Sequence, residues 1–462
     1  MVELAGPAGA GGAGWQGAPP FWLRLGYLAY QIVLHLGAPA LLGLALARSL
    51  REPLYRAHLG HRFGGAPRAP EGSIWVFAAS LGETRAVSPL VRLLLARGET
   101  VLLTHASPAG LAEGRRLFAD DITSGRLVQG YGPLDLFWTV RRFLSRQRPR
   151  AGLIVESEIW PAQLFEARRA GVPMVIVNGA YTERAAQRDR RGAGRLRGGL
   201  FPGFSMALTK SEAHAARYRA AGLPAAAVRN PGELRFDLPM NRAQIAAAGP
   251  VAAELREGGA RVLTLASSVE GEEAALLAMV RSLQQRMQPA PRVVWVPRSP
   301  QRFAPVLGAL RAAGVKAEAR SALFDGHLAL RPGAESRLRA AAVLVGDSIG
   351  EMDFYYALAD AVFVGATLVD HGGHNIIEPL AQERPVLTGP STYGIAFPAR
   401  EAADAGALRI LPDAAALEAE IAALFSDPAR LGAFSACARG FNAGHSGAAA
   451  RSLAALEPFL ER

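Results

Sequence analysis

Glu83 follows the apolar run SIWVFAA and a Ser80-Leu81-Gly82 turn, with a helix expected from about Thr84. A carboxylate at the end of a buried strand can take the proton of an attacking hydroxyl. The positive end of the following helix is expected to lower its pKa, keeping it ionised but a modest base. A plain helix cap is the competing role. A second acidic loop, Glu156-Ser157-Glu158-Ile159-Trp160-Pro161, follows the run AGLIV. Its carboxylates suit sugar hydroxyls or repulsion of a wrong anion; equally, one of them caps the helix that Pro161 begins. Arg235, in GELRFD, suits a phosphate or carboxylate, or else a surface ion pair with Asp237.

The second half offers a basic seat. The runs AAVLVGD (341–347) and DAVFVG (360–365) each end in a glycine loop within residues 346–395. The second loop carries Gly372, Gly373, His374, Asn375 and Glu378 where a helix should begin. Glycine lets backbone N–H groups approach a ligand, and a helix start attracts anions. A phosphate bonded to a sugar or nucleoside fits there. Ser267 and Ser268 precede what reads as a capped helix start, and their hydroxyls suit phosphate, although capping alone would explain them. Pro297-Arg298 follows VVWV and puts a cation at a strand end, beside the Gly350-Glu351 loop. Glu378 suits ribose hydroxyls.

These residues need a scaffold, and the pattern supplies one. Strands are expected at 73–79, 100–105, 125–130, 151–156, 172–178 and 204–209, separated by stretches of helical spacing. The alternation repeats in RVLTLAS, PRVVWVP, AAVLVGD, DAVFVG and RPVLTG, after a break around residues 237–250. Alternation of this kind gives α/β architecture with parallel sheets covered on both faces. Two doubly wound Rossmann-like domains facing across a cleft are expected, with ligands at the carboxyl ends of the strands. The divisions expected are a disordered tail 1–20, an apolar anchor helix 21–47, an N-terminal domain 48–238 and a C-terminal domain 239–462.

Composition narrows the function. Basic residues number 51 against 40 acidic, and Lys210 and Lys316 are the only lysines. Arginine suits phosphates, but the general richness in Ala, Gly, Arg and Pro accounts for most of the excess. No basic run with interleaved aromatics is present, which argues against nucleic acid. The lone Cys437 favours a reducing compartment. Gly9, Gly11 and Gly14 match a dinucleotide fingerprint without the strand and helix it requires, so no such cofactor is expected. With no Asp-x-Asp pair and no His/Cys cluster, neither is a metal. Leu25–Ala47 approaches the ~20 apolar residues that span a bilayer. Gln31, His35 and Pro39 leave an interfacial helix open, and Ala45-Leu46-Ala47 resembles a signal-peptide cleavage site. Arg48, Arg51, Arg56 and Arg62 follow the run and place the next domain on the cytoplasmic side of an uncleaved anchor.

Taken in order, the motifs Tyr55-Arg56-Ala57-His58-Leu59-Gly60, SLGE, ESEIWP, GELRFD, SSVEGEE, PRSPQRF, GDSIGEM and GGHNIIEP resemble the 3-deoxy-D-manno-octulosonic acid (Kdo) transferases of lipopolysaccharide assembly. The resemblance covers nearly the whole chain. It implies a GT-B fold, with acceptor on the N-domain and CMP-Kdo on the C-domain. It also implies metal-independent, inverting transfer of Kdo to the lipid A precursor at the cytoplasmic face of the inner membrane. By position, Glu83 falls on the family's general base, and Glu156 and Glu158 on a Glu-Thr-Glu pattern that supports the transition state. Arg235 stands where the family usually has Lys. Pro297, Arg298, Ile349, Gly350, Glu351, Asn375, Ile376, Ile377 and Glu378 match its CMP contacts, next to Gly373 and His374. The chain departs at Val269, Ser299, Ser391 and Gly394, where the family commonly has His, His, His and Asn. Two other functions compete: transfer of a related sugar acid from another nucleotide-activated donor, and a bilobed binding protein without chemistry.

Overall fold

The computed structural model describes Trp15, residues 18–50 and residues 57–461 of the chain. Most of the expected tail, Arg51, the side chain of Arg48, and Tyr55 and Arg56 of the first family motif lie outside these residues. The chain forms two compact units.

The first unit is built on β1 (Ile74–Phe77), β2 (Val101–His105), β3 (Leu127–Tyr131), β4 (Ala151–Val155), β5 (Met174–Gly179), β6 (Met206–Thr209) and β7 (Val228–Arg229). All pair in parallel, in the order β3-β2-β1-β4-β5-β6-β7. Alternate side chains serve opposite faces of the sheet. Trp75, Phe77, Leu102, Ile154 and Ile176 enter one core; Ile74, Val76, Leu103, Leu153 and Val175 enter the other. The strand order reverses between β1 and β4, and the crevice at such a reversal is where ligands bind.

The second unit repeats the scheme with β8 (Val262–Ser268), β9 (Arg292–Pro297), β10 (Ala317–Ala319), β11 (Val343–Val345), β12 (Ala361–Val364), β13 (Val386–Thr388) and β14 (Leu408–Ile410). Their order is β10-β11-β9-β8-β12-β13-β14, again all parallel, with its reversal between β8 and β12. Each strand expected from sequence is present. The short edge strands β7, β10 and β14 were not expected: unlike the equally short β11 and β13, each carries a charged residue, Arg229, Glu318 or Arg409, in place of an unbroken apolar run.

The division between units falls after Leu238, but the chain does not stay in the second unit: from Gly447 onward it belongs to the first. The C-terminal domain therefore ends at Ser446, not at 462. Helix Ala448–Leu460 inserts Leu456, Phe459 and Leu460 into the same core as Ile74 and Val76, and long-range packing of this kind leaves no local mark in sequence.

The expected apolar helix forms as α1 (Phe21–Ser49). Among the described residues, however, no helix is long and apolar enough to cross a membrane. The polar residues that interrupt α1 face the first unit. Tyr30 donates its hydroxyl to Asp135 Oδ2 at 3.0 Å, and Gln31 Nε2 donates to the Asp135 carbonyl at 2.9 Å. Gln31 Oε1 accepts the Phe137 N–H at 3.0 Å.

Candidate active site

In the first unit, the crevice between β1 and β4 gathers the acidic residues. Ser80 caps α2 (Leu81–Ala96), its hydroxyl oxygen accepting the Glu83 N–H at 3.2 Å. The helix thus starts three residues earlier than expected, and Glu83 sits in its first turn, 9% exposed. Its carboxylate accepts the Ala79 N–H at 2.7 Å and the Ser80 hydroxyl at 3.2 Å. Glu83 is therefore a capping residue as well as a strand-end carboxylate. The expected lowering of its pKa is overturned. Burial, opposed by the Ala79 N–H and reinforced by the charges of Glu156 and Glu158, raises it to about 7. Desolvation of a carboxylate outweighs the helix terminus here.

Glu156 follows β4 in a left-handed conformation at φ 60°. Its Oε1 accepts Lys210 Nζ at 2.9 Å and Arg235 Nη2 at 2.7 Å. Arg235 therefore pairs with Glu156, not with Asp237, whose two oxygens accept the Gly447 and Ala449 N–H groups. Burial raises the Glu158 pKa against the Trp160 hydrogen bond and Arg197, which lower it. Neither glutamate caps the helix begun by Pro161. Asp135 does, with Oδ2 and Oδ1 accepting the Ala162 and Gln163 N–H groups at 3.0 Å each.

In the second unit, Glu272 organises the equivalent crevice. It is 1% exposed and accepts four backbone N–H groups: Val269 at 3.2 Å, and Ala366, Thr367 and Leu368 at 2.8 Å each. One carboxylate thus ties the loop after β8 to the loop after β12. The Ser268 hydroxyl is not free for phosphate, since it accepts Trp295 Nε1 at 2.9 Å inside the core. Ser267 remains half-buried at the strand end, at φ 57°. Arg298, after β9, is exposed and makes no ion pair among the described residues. His374 lies close enough to feel it: burial, then the Arg298 charge, lowers its pKa, and its Nε2 is buried without a hydrogen-bond partner.

Gly372 and Gly373 have φ of 81° and 87°, which glycine adopts without strain. They turn the chain so that Gly373 N–H bonds back to the Ala366 carbonyl at 2.8 Å. The helix beyond them, Ile377–Ala381, has only five residues, so its expected pull on an anion is small. Asn375 and Glu378 are exposed, whereas Ile376 and Ile377 are buried, so any ligand contact of theirs runs through the backbone. Pro297 is likewise buried at the end of β9. Ile349 is exposed and Gly350 turns at φ 84°. Glu351 is paired with Arg320 at 2.7 Å and accepts the Tyr355 hydroxyl at 3.3 Å instead of lying open.

Four charged residues went unrecognised in the sequence as site supports: Asp135, Lys210, Glu233 and Glu272. Glu233 and Glu272 lie within GELRFD and SSVEGEE, and Lys210 is an unusual lysine in an arginine-rich chain, whereas Asp135 carried no such mark.

Two doubly wound units with chemistry at their carboxyl edges are the build of the GT-B proteins, a class of glycosyltransferases and related sugar-nucleotide enzymes. Solved structures share the build. They include a UDP-GlcNAc 2-epimerase from Neisseria meningitidis bound to UDP-GlcNAc (TM-score 0.55, 9% identity, 84% of this chain and 100% of that one). A glycosyltransferase from Rickettsia africae gives a TM-score of 0.52 at 10% identity, over 85% and 100% of the two chains. Residues 57–238 match the family described as 3-deoxy-D-manno-octulosonic-acid transferase (kdotransferase). A 3-deoxy-D-manno-octulosonic acid transferase of Bordetella pertussis is 39% identical over 406 residues, 87% of this chain and 91% of that protein. One from Haemophilus influenzae is 29% identical over 94% and 98% of the two chains. The chain belongs to the Kdo transferase family and is a glycosyltransferase, which removes the binding-protein alternative.

Proposed function

We propose that the protein transfers Kdo from CMP-Kdo to a lipid A precursor with inversion at the anomeric carbon. Glu83 supports this reading most directly, as a carboxylate whose pKa of about 7 suits a base near neutral pH. As the acceptor hydroxyl attacks, its proton passes to Glu83, the new glycosidic bond forms, and the bond to the CMP oxygen breaks. Arg235 supplies a cation for the carboxylate of the sugar acid or a phosphate of the acceptor. In the second unit, Arg298 answers the phosphate of CMP, and the 365–375 loop braced by Glu272 offers backbone groups around it. We place the work at the cytoplasmic face of the inner membrane, with α1 lying in the interface.

The test is incubation with CMP-Kdo and a tetraacylated lipid A precursor, products being identified by mass. Glu83→Ala should cut turnover by the ~10²–10⁴ of a lost general base while CMP still binds. Wild-type turnover in that variant would remove Glu83 from the role. A related sugar acid as donor is the second reading. It is favoured by Ser391, whose hydroxyl accepts the Gly372 N–H at 3.0 Å where the family commonly carries His. A panel of nucleotide-activated sugar acids separates the two.

A further inference from the structure

Lys210, just beyond β6, has no part in the chemistry above, yet it is the most buried cation of the first crevice, at 4% exposure. Its Nζ lies 2.9 Å from Glu156 Oε1 and 3.0 Å from Glu233 Oε2. Glu233 is fully buried, and its other oxygen accepts Asn178 Nδ2 at 2.9 Å and the Arg235 N–H at 3.1 Å. Arg235 reaches Glu156 at 2.7 Å but stands 3.6 Å from Glu233 Oε2. Two carboxylates and two cations therefore balance, and Glu156 Oε1 is shared between the cations. Of the four, Arg235 has the most exposed side chain, at 29%.

A buried carboxylate left without a counter-charge is costly, so it draws in whatever cation it can reach. With Lys210 removed, that cation is Arg235, whose side chain would fall back from Glu156 toward Glu233. We propose that Lys210 is a positioning residue: by satisfying Glu233 it holds Arg235 forward and fixes the charge that Glu83 feels. The proposal rests on the reading of Glu83 as base and Arg235 as ligand-facing cation.

Other titratable groups lie near Lys210 and Glu156, among them Arg197, whose Nη2 donates to the Ser157 carbonyl at 3.0 Å. His214 contacts Ser211 through Nδ1 at 2.9 Å and is held neutral by burial, Arg217 and Lys210, its pKa lowered to about 4. The Tyr218 hydroxyl donates to the Glu156 carbonyl at 3.4 Å, and burial keeps that phenol protonated. Glu158 and Glu83 face the cluster from the acidic side. Losing Lys210 removes positive charge, and the retreat of Arg235 removes more. Both changes push the Glu83 carboxyl toward its protonated form.

The experiment compares Lys210→Met and Lys210→Arg by the pH dependence of kcat/KM for transfer and by crystal structures. In Lys210→Met the acid limb should move up by about half a pH unit, and kcat should fall roughly tenfold as Arg235 leaves its place. Lys210→Arg should restore both. A wild-type limb in Lys210→Met, with Arg235 still on Glu156 in its crystal structure, overturns the proposal. Should Lys210→Met fail to fold, Lys210→Met/Glu233→Gln keeps the cluster neutral. It should fold with Arg235 on Glu156 and a limb within about 0.2 units of wild type. A limb raised by half a unit in that double variant is equally fatal. Transfer that survives Glu83→Ala would sink the reading beneath instead; the position of Arg235 in the crystal structures then decides the proposal alone.

Discussion

Burial raises the Glu83 carboxyl to about 7 from an ordinary 4.5, and a group perturbed in that direction costs stability when ionised. Below pH 4.5 it is protonated in folded and unfolded chains alike, and nothing is lost. As pH climbs from there to about 7, the unfolded chain ionises first and stability falls; above 7 the penalty is constant. Glu83→Gln keeps an oxygen to accept the Ala79 N–H and carries no charge. It should therefore be more stable than wild type at pH 8, by up to about 3 kcal/mol and with a higher melting temperature, and match it near pH 4. Thermal melts at the two pH values check this, and coincident melts at pH 8 would show that Glu83 is not desolvated. Position 83 was legible because a glycine turn after an apolar strand announces a strand-end residue. The direction of its pKa was not, because burial sets it and the charges of Glu156 and Glu158 reinforce it, and both arise only once the chain packs and β1 pairs with β4. Ser268 failed for the same reason: its partner, Trp295, comes from the neighbouring strand.

Helix α1 shows how an element with polar interruptions can still present an apolar face. Phe21, Leu25, Leu28, Ile32 and Leu36 recur at steps of three or four and are 53–79% exposed, so they form one stripe. Tyr30 and Gln31 lie on the other side, fastened to Asp135 and Phe137. The sequence made Gln31 and His35 look like defects in a spanning segment. In the fold they anchor the helix to the first unit, and the apolar stripe stays outward. Such a helix is suited to lie along an interface, its burial there contributing roughly 25 cal/mol per Å². Leu28→Glu/Ile32→Glu should leave the unfolding midpoint within about 0.5 kcal/mol of wild type, since both sites are exposed. The same change should abolish most cosedimentation with anionic phospholipid vesicles. Undiminished vesicle binding would mean that α1 does not carry the contact. The helix itself was legible from its apolar run; which side faces out was not, because Asp135 lies more than a hundred residues away.

At the level of the whole chain, the first unit is completed only when the C-terminal helix returns to it. Asp237 closes the boundary by accepting the Gly447 and Ala449 N–H groups at 2.6 Å each, and Arg451 Nε donates to the Pro231 carbonyl at 2.9 Å. Helix Ala448–Leu460 buries Leu456, Phe459 and Leu460 in the core that also holds Val87, Leu90 and Val91 of α2. That core lies under the helix carrying Glu83, so the last stretch of sequence bears on the proposed base without touching it. Stopping the chain after Ser446 removes three large core side chains, each loss costing about 2–5 kcal/mol by analogy with core truncations. The second unit, Pro239–Ser446, keeps its own cores and should be spared. Hydrogen exchange on the truncated protein should therefore show protection lost in β1 and α2 but retained in β8, β9 and β12. CMP binding should survive while transfer is lost. Protection that falls equally in both units would mean that they unfold as one cooperative body, and the returning helix would then be a support of the whole molecule and not of the first unit alone.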